Sequence, residues 1–112
     1  MDKILVINND EDTMSLLKIW LETKSYQVQY TSSGENVTQL MKDYEPQLVL
    51  VDVLQKDAAK EIKADKETAY TPIILMTGYT SRMTPLEAMV DDTIEKPFDL
   101  ALLEKKIENL IS

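Results

Sequence analysis

The sequence of 112 residues contains neither cysteine nor histidine, and only two glycines. The lack of cysteine excludes disulfides and thiolate metal sites, and the lack of histidine excludes His-dependent catalytic triads and most zinc sites. No apolar run approaches the length of a membrane span, and the first residues continue directly into a predicted strand, so we expect no membrane segment and no signal peptide. No glycine-rich linker divides the chain, and we expect a single domain over residues 1–112.

Acidic residues outnumber basic residues in the sequence. Twelve basic residues stand against twenty acidic ones, which gives a net charge of −8. Such a surface repels a phosphate backbone, so direct binding of nucleic acid is not expected. Hydrophobic residues at 44% and charged residues at 29% are typical of a folded, water-soluble domain. Without a predicted membrane segment, this composition predicts a cytoplasmic protein.

Strand-like and helix-like segments alternate along the chain. Short runs of aliphatic and β-branched residues predict five strands, at residues 3–7, 27–31, 48–51, 73–77 and 93–95. Apolar residues at helical spacing predict five helices, at residues 12–24, 35–44, 57–66, 84–90 and 100–111. The alternation implies an α/β fold, in which helices cover both faces of a parallel sheet.

Polar residues stand where four of these strands end. The carboxyl ends of parallel strands meet at one edge of a sheet, where ligands bind. The polar residues at that edge are Asn8, Asn9 and Asp10 after the first strand, Asp52 after the third, Thr77 at the end of the fourth and Lys96 after the fifth. We therefore expect carboxylates, a hydroxyl and an ammonium group in one crevice.

Four segments in this order resemble a known family. They are the apolar strand and polar group at residues 3–10, the apolar strand that ends at Asp52, the third helix and fourth strand at residues 62–78, and the turn that contains Lys96, Pro97 and Phe98. Together they resemble the receiver domain of response regulators over nearly the whole chain. The resemblance implies a flavodoxin-like (CheY-like) sheet with strand order 2-1-3-4-5 and a role in two-component phosphorelay signalling.

The resemblance also implies roles for individual residues. Asp52 would accept a phosphoryl group from a histidine kinase or a phosphotransfer protein. Thr77 would bind a phosphoryl oxygen, and Lys96 would pair with Asp52 or with the phosphate, next to a cis peptide at Pro97. Thr93 stands where an aromatic switch residue is common. In this role the chain accepts a phosphoryl group and is not an enzyme, and the resemblance allows a downstream protein partner.

The sequence departs from the family at its acidic site. The family usually places two acidic residues where Asn8 and Asn9 stand, and the second binds Mg²⁺ directly, whereas asparagine offers only a neutral carbonyl to this hard cation. One lost charge at ~4 Å, at an effective dielectric near 20, forfeits up to roughly 4 kcal/mol of attraction before solvent responds. With Asp52, Asn9 and Asp10 as the remaining ligands, we expect Mg²⁺ to bind weakly or not at all.

Simpler roles and other functions stay open at this point. Asn8 could be a turn former, and Asp10 could serve the N-terminus of a helix. The Asn8–Asn9 pair favours an atypical pseudo-receiver, a protein-interaction module that works without phosphorylation, whereas an intact Asp52 favours the phosphorylated switch. A flavin- or nucleotide-binding protein would need a glycine- or hydroxyl-rich loop after the first strand, where this chain is acidic. Both a stand-alone regulator and a part of a larger protein are compatible with the sequence.

Overall fold

A sheet of five strands forms the centre of the computed structural model, which describes residues 2–78 and 89–111. The strands are β1 (Lys3–Ile7), β2 (Gln27–Thr31), β3 (Leu48–Asp52), β4 (Ile73–Thr77) and β5 (Asp92–Glu95). They lie in the order β2-β1-β3-β4-β5, and every neighbouring pair is parallel. The predicted fold class and strand order are therefore confirmed.

Helices connect the strands and cover the sheet. They are α1 (Glu11–Thr23), α2 (Val37–Tyr44), α3 (Lys56–Ala64) and α4 (Leu100–Ile111), and a short 3₁₀ helix (Val53–Gln55) precedes α3. The carboxylate of Asp99 accepts the N–H groups of Ala101 and Leu102, at 3.0 and 3.2 Å, and so caps α4. Most of the helix predicted at residues 84–90 lies outside the described residues. No helix in the described part of the chain is both long and apolar enough to cross a membrane.

The sheet separates two hydrophobic cores, because successive strand residues point to opposite faces. On one face, α2 and α3 bury side chains such as Met41 and Ile62 against β1, β3 and β4. On the other face, α1 and α4 bury side chains such as Leu17 and Ile107. Strands β3 and β4 are buried along their whole length, and the four apolar residues that begin each strand predict this burial. The half-exposed Trp20 packs against the second core.

The order of the strands creates the crevice. Strand β1 lies between β2 and β3, so the chain leaves β1 in one direction across the sheet and returns on the other side. Such a reversal point opens a crevice at the carboxyl ends of the two diverging strands. Here those strands are β1 and β3, and the residues that follow them are Asn8 and, at the end of β3, Asp52.

Three helices begin at other residues than the sequence predicted, and the first of them, α1, begins one residue earlier, at Glu11. Helix α2 begins at Val37, since Asn36 before it takes a left-handed conformation with φ of 58°. Helix α3 begins at Lys56 directly after the 3₁₀ helix. The loop before α2 packs closely against α3, because a Cβ atom at Gly34 would lie 2.6 Å from Cβ of Ala58. A side chain at position 34 would therefore push on the start of α3.

Candidate phosphoacceptor site

Asp52 ends β3 with a buried carboxylate that is 2% exposed. Its Oδ1 atom accepts the backbone N–H of Leu54 at 2.8 Å, and this bond caps the 3₁₀ helix. Its Oδ2 atom accepts a hydrogen bond from the ammonium group of Lys96. Two partners therefore hold the carboxylate in one orientation. The contact with Leu54 could not be read from residue types, because a backbone N–H makes it.

Lys96 approaches Asp52 from the residue after β5. Its side chain is 33% exposed, and its backbone N–H donates to the carbonyl of Thr77 at 2.8 Å. The Lys96–Pro97 peptide is cis, and the predicted proximity of Lys96 to Asp52 is confirmed. The ends of β3, β4 and β5 are thereby tied together at the site.

Thr77 and Thr93 lie close to this edge without reaching Asp52 through a hydrogen bond. Thr77 is 5% exposed, and its hydroxyl donates to the carbonyl of Ile94 over a long 3.4 Å. Its hydroxyl is thus directed to β5, and it would have to leave that carbonyl to bind a phosphoryl oxygen. Thr93 lies half-buried in β5, opposite Leu75 of β4.

Asn8 is fully buried at the end of β1. Its Oδ1 atom accepts the backbone N–H of Asp10 at 2.7 Å, which agrees with the role of a turn former. Its Nδ2 atom is buried and has no hydrogen-bond partner among the described residues. A buried donor without an acceptor costs about 1–3 kcal/mol. This burial was not predicted from the sequence, in which Asn8 follows the apolar strand as an ordinary polar turn residue.

Neither Asn9 nor Asp10 forms a hydrogen bond with Asp52 among the described residues. Asn9 is exposed, whereas Asp10 is the N-cap of α1, with Oδ1 accepting the N–H of Asp12 at 3.2 Å and Oδ2 the hydroxyl of Thr13 at 2.6 Å. The hydrogen bond from Thr13 is the main cause that lowers the pKa of Asp10, and the charge of Lys96 adds a smaller effect. The structure thus agrees with the interpretation of Asp10 as a charge at the start of a helix.

The oxygen atoms at the ends of β1 and β3 are already engaged in hydrogen bonds. Within residues 2–78 and 89–111 there is no group of three or more acidic, histidine or cysteine side chains that could hold a metal ion. The oxygens of Asp52 bind Lys96 and Leu54, those of Asp10 cap α1, and Asn8 uses its carbonyl for a backbone N–H. Mg²⁺ prefers oxygen ligands and usually one or two carboxylates. Lys96 already supplies a positive charge next to the buried carboxylate.

A cavity of about 600 Å³ lies at the opposite edge of the sheet. Its lining includes Pro46 and Pro72, which precede β3 and β4, whereas Asp52 and Thr77 end these strands. The cavity is therefore separate from the site at the carboxyl ends.

Known proteins resemble the chain over nearly its whole length. Residues 4–108 match the family described as the response regulator receiver domain. Transcriptional regulatory protein CpxR of Escherichia coli is 34% identical over 116 residues, which cover 99% of this chain and 50% of that protein. Transcriptional regulatory protein SrrA of Staphylococcus aureus is 28% identical, over 87% of this chain and 42% of that protein. The chain thus spans about half the length of the curated relatives it matches.

Solved structures have the same fold. The response regulator TrrA of Thermotoga maritima, in complex with Mg²⁺-BeF, is 26% identical and superimposes with a TM-score of 0.87, over 98% of this chain and 99% of that one. A second crystal structure contains TrrA bound to the histidine kinase ThkA. The match there has 26% identity and a TM-score of 0.87, and it covers 100% of this chain and 100% of the matched chain.

Proposed function

Because the chain belongs to the response regulator receiver domain family of two-component signalling, we propose that Asp52 is its phosphoacceptor. The observation that carries this proposal is the pair formed by the buried carboxylate of Asp52 and the ammonium group of Lys96. A carboxylate at the end of a parallel strand presents a nucleophile, and a fixed cation beside it offsets charge on the incoming group.

In this mechanism one carboxylate oxygen of Asp52 forms a bond to the phosphorus of a phosphohistidine. The P–N bond breaks in line, and its electron pair stays on the imidazole of the donor. Lys96 then offsets negative charge on the phosphoryl oxygens, and the hydroxyl of Thr77 turns from the Ile94 carbonyl to the same group. The chain accepts the phosphoryl group in this exchange and is not itself an enzyme.

The donor in this proposal is a histidine kinase or a phosphotransfer protein. Large apolar side chains are exposed on the segments that follow β1 and β3, since Leu54, two residues after Asp52, is 78% exposed, and Leu16 and Ile19 on α1 are 52% and 65% exposed. Exposed apolar clusters of this kind mark protein interaction sites. A partner that docks there would reach Asp52. A downstream protein partner and the cytoplasmic location expected from the sequence stay predictions.

We further propose that Mg²⁺ binds weakly to this chain and that phosphoryl transfer to Asp52 is slow at ordinary Mg²⁺ concentrations. Asn8 and Asn9 are neutral, and both oxygens of Asp10 are engaged at the start of α1, so Asp52 supplies the carboxylate at the end of β3 without a second free acidic ligand after β1. Neutral amide carbonyls do not replace the missing negative charges.

A phosphodonor assay tests the proposed function. The purified chain is incubated with acetyl phosphate over a range of Mg²⁺ concentrations, and intact-mass spectrometry follows the gain of one phosphoryl group. We expect slow modification that Asp52→Asn abolishes and that Asp57→Asn, an exposed control in α3, leaves intact. An unmodified chain at the highest Mg²⁺ concentration would contradict the proposal and favour an interaction module that works without phosphorylation.

A further inference from the structure

The side-chain amide of Asn8 has one end that forms a hydrogen bond and one end without a partner in the described part of the chain. Its Oδ1 atom accepts the N–H of Asp10 at 2.7 Å. This contact assigns the oxygen and the nitrogen of the amide, because an NH₂ group in that place would face another donor. The Nδ2 atom, on the other side of the amide, is buried and has no acceptor among the described residues. The chain thus holds a hydrogen-bond donor, fixed in orientation, at the end of β1.

This donor lies beside the proposed phosphoacceptor. Ile7 of β1 pairs with Val51 of β3 in the parallel register, so Asn8 and Asp52 occupy equivalent positions on neighbouring strands. Side chains at equivalent positions point to the same face of a sheet. Asn8 makes no hydrogen bond with Asp52, whose oxygens bind Lys96 and Leu54. A group attached to the Asp52 carboxylate would bring new oxygens next to the free amide end.

We propose that Nδ2 of Asn8 binds a phosphoryl oxygen on Asp52 and allows transfer to Asp52 without a divalent cation. This inference rests on the proposed function of Asp52. An NH₂ group repels a cation and attracts an anion, so the end of β1 favours the phosphoryl group where an acidic residue would favour a metal ion. Together, Lys96 and Asn8 supply one positive charge and one neutral donor to the transferred oxygens.

The covalent step balances without a metal ion. When acetyl phosphate is the donor, an oxygen of Asp52 forms the new P–O bond, and the P–O bond to the acetyl group breaks. The electron pair leaves with acetate. Asn8 and Lys96 exchange no proton in this step, and they act only as hydrogen-bond donors to the phosphoryl oxygens.

Asn8→Asp is the decisive variant, because it keeps an oxygen for the N–H of Asp10 and replaces the free donor by an acceptor. We expect the unaltered chain to be phosphorylated by acetyl phosphate in the presence of EDTA. We expect Asn8→Asp to slow that reaction about ten- to a hundredfold, the loss of one hydrogen bond to a charged group. Asn109→Asp, an exposed site in α4, adds the same charge far from Asp52 and should change nothing.

The outcomes separate this inference from the proposed function. Modification of Asp52 that requires Mg²⁺, or that proceeds in EDTA at the same rate in Asn8→Asp, overturns the role of Asn8 and leaves Asp52 as the phosphoacceptor. The absence of any modification in both buffers overturns both.

A spectroscopic measurement on the unaltered chain does not depend on whether the variant folds. In EDTA, phosphorylation should move the side-chain N–H signal of Asn8 to the frequency of a hydrogen-bonded amide. The side-chain signal of the exposed Asn109 serves as the reference and should stay in place. An Asn8 signal that does not move in the phosphorylated protein contradicts the proposal.

Discussion

Asp52 connects two parts of the chain through the separate oxygens of its carboxylate. One oxygen holds the N–H of Leu54 at the start of the 3₁₀ helix, and the other holds Lys96 after β5. A phosphoryl group on either oxygen would disturb one of these contacts. The modification would therefore alter either the path into α3 or the position of Lys96.

At the residue scale, Lys96→Met should destabilise the chain. The variant leaves a 2% exposed carboxylate without its cation. Removal of one partner from a buried ion pair is strongly destabilising, but Lys96 is one-third exposed and water screens the pair, so we expect a loss of roughly 1–2 kcal/mol in the free energy of unfolding. Urea unfolding followed by the fluorescence of Trp20 measures this change.

The double variant Asp52→Asn with Lys96→Met gives the control for that experiment. Asparagine keeps an oxygen for the N–H of Leu54 and removes the uncompensated charge, so most of the lost stability should return. Equal destabilisation in the single and the double variant would show that Lys96 stabilises the fold by packing and not through its charge.

A second residue-scale prediction concerns Asn9→Asp, which restores a carboxylate at an exposed position next to the site. We expect Mg²⁺ affinity to rise at least about tenfold, which corresponds to a third of the roughly 4 kcal/mol attraction of one charge at ~4 Å. Transfer from acetyl phosphate in Mg²⁺ should accelerate, while the metal-free protein loses some stability because the new carboxylate repels Asp52. Calorimetric titration with Mg²⁺ measures the affinity, and an unchanged value would exclude position 9 as a metal ligand.

The sequence predicted the contact between Asp52 and Lys96, but not the burial of Asn8. Asp52 ends β3 and Lys96 follows β5, and the carboxyl ends of these parallel strands meet at one edge of the sheet with only β4 between them, so their proximity follows from topology. Whether Nδ2 of Asn8 finds a hydrogen-bond acceptor depends on which atoms pack against it in the folded chain. Hydrophobic patterns locate strands, and they contain no information on such side-chain contacts.

At the scale of elements, strands were predicted more accurately than the starts of helices. The bounds of β1, β2 and β4 match the prediction because each is a short apolar or alternating run between polar turns. The 3₁₀ helix was not predicted, since it depends on the cap that Asp52 makes with Leu54. Helix α2 begins late because Asn36 takes a left-handed conformation.

The close approach of Gly34 to α3 leads to a prediction at this scale. Gly34→Ala would place a methyl group 2.6 Å from Cβ of Ala58, so α3 would have to shift. We expect the free energy of unfolding to fall by about 1–3 kcal/mol, the usual effect of overpacking. Thermal unfolding monitored by circular dichroism measures the loss.

The compensating variant is Gly34→Ala with Ala58→Gly. It adds a methyl group at position 34 and removes the one at position 58 that the new group would meet. It should recover part of the stability, less about 1 kcal/mol for glycine inside a helix. If Gly34→Ala alone is as stable as the unaltered chain, then α3 is not held rigidly against the loop before α2.

At the scale of the whole molecule, two lysines join segments that lie far apart in the sequence. The ammonium group of Lys63 donates to the carbonyls of Ala69 and Thr71 and to the carboxylate of Asp91, at 3.1, 2.9 and 2.9 Å. These bonds tie α3 to the turn before β4 and to the residue before β5. Lys42 of α2 pairs with Asp65 at 3.3 Å, so both helices of this face are fastened to the same turn.

Stability should depend on pH mainly below pH 4. The backbone N–H of Glu67, followed by Lys42, lowers the pKa of Asp65 below its ordinary value of 3.8, and the Thr13 hydroxyl lowers that of Asp10. A carboxyl group with a lowered pKa in the folded state stabilises the fold above its unfolded pKa, and this contribution is lost as the pH falls through the folded pKa. Urea midpoints should therefore be level around neutral pH and decline under acid conditions.

Two variants identify the groups behind this acid dependence. Asp65→Asn removes a titrating group, and Thr13→Val removes the main donor to Asp10, so each should make the decline at low pH shallower. The midpoint at neutral pH should fall in both variants. An acid decline as steep as in the unaltered chain would assign the effect to other carboxyl groups.

The two ends of the Asn8 amide, one hydrogen-bonded and one without a partner among the described residues, also have an evolutionary consequence. Codons for asparagine and aspartate differ in their first base, so a single base substitution at position 8 keeps the oxygen that holds the N–H of Asp10 and replaces the free donor by an acceptor. The turn after β1 survives that substitution, and only the preference of the site for an anion or a cation is reversed. A lineage could therefore pass between metal-poor and metal-dependent signalling without passing through a misfolded ancestor.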